Sequence, residues 1–183
     1  MDHSTTTGAH RDGVAARMPI ATPQGWRAAA QLRVGDAVWC LDDSPQPVLS
    51  LHRHWQRACW DVRVPPLALG NTTAVFLSPE QPVALDLDQA AQLYGDPVAL
   101  MPAKALIGWR GIGPARSAGG AVMRLEFAKR QVIYAGPGLL LGCPAVDPPG
   151  LRPQGPPAPP LTAEQARHLM ACVMAEEVGT GLR

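Results

Sequence analysis

His52 and His54 stand two residues apart, with Cys59 shortly after them. On a strand that spacing puts both imidazoles on one face, as a sheet-borne metal site requires. No third and fourth ligand follow at matching spacing, so two partly exposed strand histidines are the simpler expectation. Glu80 with Asp86 and Asp88, or the pair Asp42 and Asp43, could supply paired carboxylates for acid–base work or calcium. Neither set has the spaced oxygen ligands of a calcium loop, and turn or cap chemistry accounts for both. Ser78 precedes a proline rather than sitting in a G-x-S-x-G elbow. A nucleophilic thiol needs a base nearby, which Cys59 alone has in local sequence; His168 and Cys172 are helix-face neighbours at i, i+4. That second pairing reads as a coincidence of a helix surface. The five tryptophans (Trp26, Trp39, Trp55, Trp60, Trp109) could line an aromatic binding surface. With only two Phe and two Tyr, they are expected instead to supply most of the bulky core. Composition and spacing therefore give no visible active site, metal site or cofactor.

The 183 residues have room for one domain with an appendage. A hydrophobic content of 46% is enough for a sizeable core. Sixteen basic residues nearly cancel 15 acidic ones, leaving a formal charge of +1. Nucleic acid and anionic membrane are disfavoured as partners, since both call for a surplus of positive charge. No apolar run approaches the roughly 18 residues of a membrane span. Met1 to Gly13 lacks the apolar centre of a secretory signal. The expectation is a soluble protein, cytoplasmic or exported without an N-terminal signal peptide. Four well-separated cysteines (Cys40, Cys59, Cys143, Cys172) read as reduced, mostly buried thiols rather than a disulfide framework.

Eighteen glycines and 20 prolines punctuate the chain, which favours many short elements joined by turns. Residues 1–12 read as a flexible leader and 13–143 as the folded body. In 144–160 eight of 17 residues are proline, so this stretch is expected to be a semi-rigid linker that cannot pair in a sheet. Residues 161–183 carry a helix from Ala163 to about Val178. Thr162 and Gln165 form its capping box, Ala166, Leu169, Met170 and Val173 its apolar stripe, and Gly179 its stop. Within the body, Thr22-Pro-Gln-Gly25 is a turn. Strands are expected at 37–41, 48–55, 60–64, 74–77, 83–87, 122–127 and 131–135, with a short helix at 88–94. Alternation puts Trp60, Val62 and Val64 on one face and Asp61 and Arg63 on the other; Met123, Leu125 and Phe127 likewise share a face. The class is an all-β body with a C-terminal α-helix.

Four short segments, in order, resemble a known family. Met18-Pro-Ile-Ala-Thr-Pro-Gln-Gly-Trp-Arg27, followed by Leu32-Arg-Val-Gly-Asp-Ala-Val38, is similar to I-x-T-P-x-G-W-R and L-x-x-G-D-x-V at the opening of bacterial Hint (Hedgehog/intein) domains. Leu69-Gly-Asn71 and Phe76-Leu-Ser-Pro-Glu-Gln-Pro-Val83 resemble the central G-A-L-G-N and S-P-Q-H-R-V stretch. Pro102-Ala-Lys-Ala-Leu106 resembles V-P-A-K-x-L, and Leu125-Glu-Phe-Ala-Lys-Arg-Gln-Val-Ile133 resembles L-x-F-D-R-H-E-V-V. The resemblance implies a disc of short strands with pseudo-twofold symmetry. It also implies self-cleavage: a Cys or Ser at the first position attacks the preceding carbonyl, and a central His protonates the departing nitrogen.

The departures fall on those positions. Gly13 stands at the first position, Arg17 and Met18 replace a glycine-threonine pair, and Gln81 replaces the central His beside Ser78. Ala128, Arg130 and Gln131 replace the late Asp, His and acid. The expectation is a Hint domain without self-cleavage, retained as a binding or scaffolding module. Its old concave site would take an unknown peptide, protein or small ligand, lined by Ser78, Gln81 and Arg130. Changing Gln81 or Arg130 to Ala should then spare stability. Two rivals stand beside it. One is active autoprocessing by a substitute nucleophile, from Ser4, Thr5, Thr6 or Thr7 or from a thiol elsewhere. The other is an adaptor acting through the linker and terminal helix.

Overall fold

The computed structural model describes residues 12–41, 44–136, 138–146 and 160–180. Most of the leader and of the linker, and Asp42 and Asp43, lie outside the described residues, as does the side chain of Cys59.

The turn at 22–25 closes the hairpin of β2 (Pro19–Thr22) and β3 (Gly25–Ala28), with β1 (Val14–Ala15) just before it. Thr22 Oγ1 donates to the Gly25 carbonyl at 2.6 Å, which is why a hydroxyl suits that corner. β4 (Ala37–Trp39) pairs with β5 (Pro45–Pro47). β6 (Ser50–Gln56), β7 (Cys59–Val64), β8 (Val75–Leu77) and β9 (Pro82–Asp86) follow, then α1 (Asp88–Tyr94), ended by left-handed Gly95. β10 (Val98–Pro102), β11 (Gly113–Ser117), β12 (Gly120–Glu126), β13 (Gln131–Ala135) and β14 (Leu139–Cys143) complete the body, and α2 (Ala163–Thr180) closes the described chain.

The strands assemble into antiparallel sheets ordered β10-β9-β14-β13-β2-β3, β1-β12-β6, β11-β7-β8 and β4-β5. Residues of several sheets and of both helices contribute to one core cluster. Leu69-Gly-Asn71 shows why the central motif has its residues. Asn71 Nδ2 donates to the carbonyls of Pro65 and Thr73, and its Oδ1 accepts from Leu69 N. Gly138 lies so close that a Cβ there would stand 2.1 Å from the Gly70 carbonyl oxygen.

Met123, Leu125 and Phe127 are buried together as the alternation requires. Three expectations fail. Only Trp109 is buried; Trp26, Trp39, Trp55 and Trp60 are exposed. The largest enclosed side chains are aliphatic or Met, with Phe127 and Gln81, so the bulk of the core is aliphatic rather than aromatic. In β7, Trp60 is exposed and Asp61 buried, so burial follows the end of the sheet rather than strict alternation. Ala145, inside the expected linker, forms a parallel bridge with Phe127, and the Pro144 carbonyl accepts from Phe127 N. A proline cannot donate, but its carbonyl still accepts.

α2 docks on the body. Gln165 N donates to Thr162 Oγ1 at 3.2 Å and Thr162 N to Gln165 Oε1 at 2.9 Å, the expected capping box. Ala166, Leu169, Met170 and Val173 are buried in the same core as Ile20 and Val83. At the far end Glu177 accepts from Trp109 Nε1 and from Arg110 Nη2, both at 2.9 Å. The helix runs through Gly179 to Thr180, because the Thr180 hydroxyl bonds back to the carbonyls of Glu176 and Glu177. Among the described residues no helix is long and apolar enough to cross a membrane.

Candidate functional site

Gly13 enters the fold just before β1, which pairs with β12 in the register Val14↔Met123. Its backbone N–H donates to Gln81 Oε1 at 2.9 Å. Gln81 stands on the corner between β8 and β9, where its own N–H donates to the Ser78 carbonyl at 3.0 Å. Pro79 and Pro82 stiffen that corner, and Ala103 N and Lys104 N donate to the carbonyls of Gln81 and Pro79. Gln81 is 1% exposed; its Nε2 donates to the carbonyls of Gly142 at 2.9 Å and Pro82 at 3.0 Å. One amide thus ties three segments of the chain together.

On the other side of Gly13, Arg124 donates from Nη1 to the Asp12 carboxylate and from Nε to Glu126 Oε1 at 2.9 Å. Glu126 Oε2 lies 3.6 Å from His52 Nε2, and His52 bonds Ser50 Oγ at 2.8 Å. A polar chain therefore runs from exposed His52 inward to Asp12. Cys143, at the end of β14, lines the same small cavity as Asp12, Gly13, Gln81 and Arg124. Desolvation pushes its thiol far above the ordinary range, with Cys40 and Asp12 adding to the rise and Arg124 opposing it. The cavity measures about 10 Å³, room for roughly one water.

Gly13 also has a conformation of its own. At φ +151° a Cβ would meet Val122 Cγ1 at 2.6 Å and the Met123 carbonyl oxygen at 3.1 Å. A side chain there would have to displace the Val122 side chain, press on the Met123 carbonyl and hold a strained backbone conformation.

Of the residues singled out in the sequence, Gly13 and Gln81 are brought into direct contact. Ser78 is buried on the same corner but does not line the cavity. Ala128 and Arg130 lie in the turn between β12 and β13, Ala128 exposed and Arg130 half-buried, and neither lines it. The buried Nε of Arg130 has no hydrogen-bond partner among the described residues. The three bonds of Gln81 argue against the expectation that Gln81→Ala would spare stability, since all three partners would lose their side-chain partner. No group of His, Cys, Asp or Glu that could hold a metal occurs among the described residues. Glu80 pairs with Lys104, and Asp88 sits in the first turn of α1.

Asp12, Arg124 and Cys143 escape a sequence reading. Arg124 and Glu126 alternate with buried Met123 and Leu125, which marks a charged strand face but not its partner. Cys143 reaches the site only because β14 pairs with β9, in the register Leu141↔Val83.

A family model described as Hint domain matches residues 14–139, beginning one residue after Gly13. The chain belongs to the Hint domain family. Its backbone is similar to a GSH-linked, splice-inactive variant of the AceL NrdHF class 3 split intein, with a TM-score of 0.50 at 11% identity, covering 75% of this chain and 100% of that one. The gp41-1 intein matches with a TM-score of 0.49 at 14% identity, over 70% of this chain and 96% of that one. A bacterial intein-like domain from Clostridium thermocellum matches with 0.45 at 12%, over 72% and 98%. No curated protein matches the chain in sequence. The Hint match stops short of α2, so the helix extends the core beyond the family's matched segment.

Proposed function

We propose that this Hint domain has lost self-cleavage and is kept as a binding or scaffolding module. The observation that carries the reading is the fit around Gly13. The position where the resemblance puts a nucleophile holds a glycine at φ +151°, where a side chain would strain the backbone and crowd Val122 and the Met123 carbonyl. Hint-type cleavage also needs an acid to protonate the departing nitrogen. Gln81 stands there instead, accepting from the amide N–H and not titrating near neutral pH. Asp12 is held by Arg124 on the other side of the bond, so the segment is tied down on both sides of Gly13. Because the cavity beside it has room for about one water, ligand binding on this reading belongs to another part of the surface and not to the old site.

The test is the intact mass of the purified full chain, before and after incubation with a thiol and, separately, with hydroxylamine. A single unchanged mass is expected. A fragment beginning at Gly13 overturns the reading.

One observation favours a second reading, autoprocessing by a substitute thiol: Cys143 shares the cavity with Asp12 and Gly13. Its sulfur would attack the Asp12 carbonyl, forming a thioester and breaking the bond to Gly13 nitrogen, which takes up a proton; water then hydrolyses the thioester. Burial opposes this by keeping the thiol protonated. If a Gly13 fragment is found, this reading expects Cys143→Ala to abolish it.

A further inference from the structure

A much larger cavity than the one beside Gly13 lies away from the old site. It is an open groove of about 530 Å³ between two sheets, with β8 on one side and the stretch after β1 on the other. β8 is the last strand of its sheet, bonded on one edge to β7, and β1 is the last strand of the facing sheet. Among the described residues no strand pairs with the outer edge of β8, and such an edge beside a trough of this size can accept an added extended segment through main-chain hydrogen bonds. Phe76, exposed on β8, gives the groove an apolar contact. Arg17 and Arg116 also line it; both are exposed and neither forms an ion pair among the described residues. The carboxylate in the lining, Asp61, is buried and accepts from Gln56 Nε2 at 3.3 Å. The accessible charge of the groove is therefore positive although the whole chain is close to neutral.

We infer that this groove takes an extended peptide segment of another protein, added as a strand to β8, with acidic side chains meeting Arg17 and Arg116. The backbone edge supplies the affinity and the two guanidinium groups the preference for acidic sequence. The inference deepens the reading of a retained binding module by naming where and what it binds.

The test uses two short labelled peptides of the same alternating pattern, valine with glutamate and valine with lysine, titrated into the full-length protein by fluorescence anisotropy. Amide shifts are followed by NMR. The glutamate peptide is expected to bind about tenfold more tightly than the lysine peptide, with shifts at Val75, Phe76 and Gly119–Ala121. Arg17→Glu with Arg116→Glu should erase that preference while leaving the unfolding midpoint unchanged. A glutamate peptide with proline at its centre should bind weakly, which tests strand addition without altering the protein. Equal affinity for both peptides, equal binding of free glutamate, or shifts confined to other residues overturns the inference. So does a marked gain in affinity after removal of residues 1–11, which would make the chain's own leader the occupant, or peptide-insensitive dimerisation through β8. An intact mass measured on the same sample separates the two failures. A cleaved chain sinks the proposed function and leaves peptide binding to be read directly, whereas an intact chain that binds neither peptide sinks only the groove.

Discussion

Gln81 does at the residue scale what a titrating group would do differently. Its carbonyl oxygen accepts from Gly13, and its amide nitrogen donates to Pro82 and Gly142, so both ends of one neutral side chain are used. Gln81→Ala leaves the Gly13 donor and the Pro82 and Gly142 acceptors without their side-chain partner, the Gly142 contact being buried, at about 1–3 kcal/mol for each group that water cannot reach. Urea unfolding should show a clear loss of stability; a midpoint equal to that of the parent would mean the three bonds contribute nothing net. Gln81→Glu refines the test. A carboxylate still accepts from Gly13 but cannot donate to the two carbonyls, and burial raises its pKa. Protonation restores a donor, so this variant should be closest to the parent in acid and fall further behind as pH rises through its raised pKa. A pH-independent deficit would exclude that account.

At the scale of elements, the terminal helix is held at both ends. Leu161 N donates to the Leu100 carbonyl at its start, and Glu177 meets Trp109 and Arg110 near its end. The indole N–H is the main cause that holds the Glu177 carboxyl below its ordinary range; desolvation opposes it, and Arg110 adds to the lowering through its hydrogen bond and charge. A lowered folded-state pKa contributes stability above the unfolded value and loses it as pH falls through the folded one. Acid should therefore loosen the last turn of α2 before the body unfolds, and Glu177→Gln should flatten that response. Trp109 fluorescence followed down the acid limb reads it, and identical profiles for parent and variant would dismiss the contact. The helix was legible in sequence because its capping box, stripe and spacing are local, as were α1 and the alternating strand of Met123, Leu125 and Phe127. The fates of Trp55 and Trp60 were not, since whether an indole lies inside depends on which sheet covers a strand end. The clamp on Gly13 was half legible: the motif marked Gly13 and Gln81, while Arg124 and Cys143 arrive by strand pairing across the molecule.

At the scale of the whole molecule, the family's matched segment and the folding unit do not coincide. The Hint match ends at 139, yet Leu169, Met170 and Val173 pack in the core that also holds Ile20, Leu106 and Ile133. Burying each such side chain contributes about 1.5–3 kcal/mol, against a total stability of roughly 5–15 kcal/mol for an ordinary domain. Removing residues 160–183 should therefore cost a large share of the total. It would uncover the apolar surface beneath α2, beside Leu106 and β10. The truncated chain is expected to unfold at much lower urea and to bind a hydrophobic dye that the full chain does not. This bears on the adaptor reading, in which the terminal helix serves a partner. A partner that needed the apolar face of α2 would first have to displace it from the body, so loss of capture on truncation would report unfolding as readily as a lost epitope. Surface changes on the exposed face, such as Arg167→Glu or His168→Glu, leave the packing untouched and make the cleaner probe. If the truncated chain instead melts with the full one, the helix is an appendage after all, and its buried stripe is available to be exchanged for a partner.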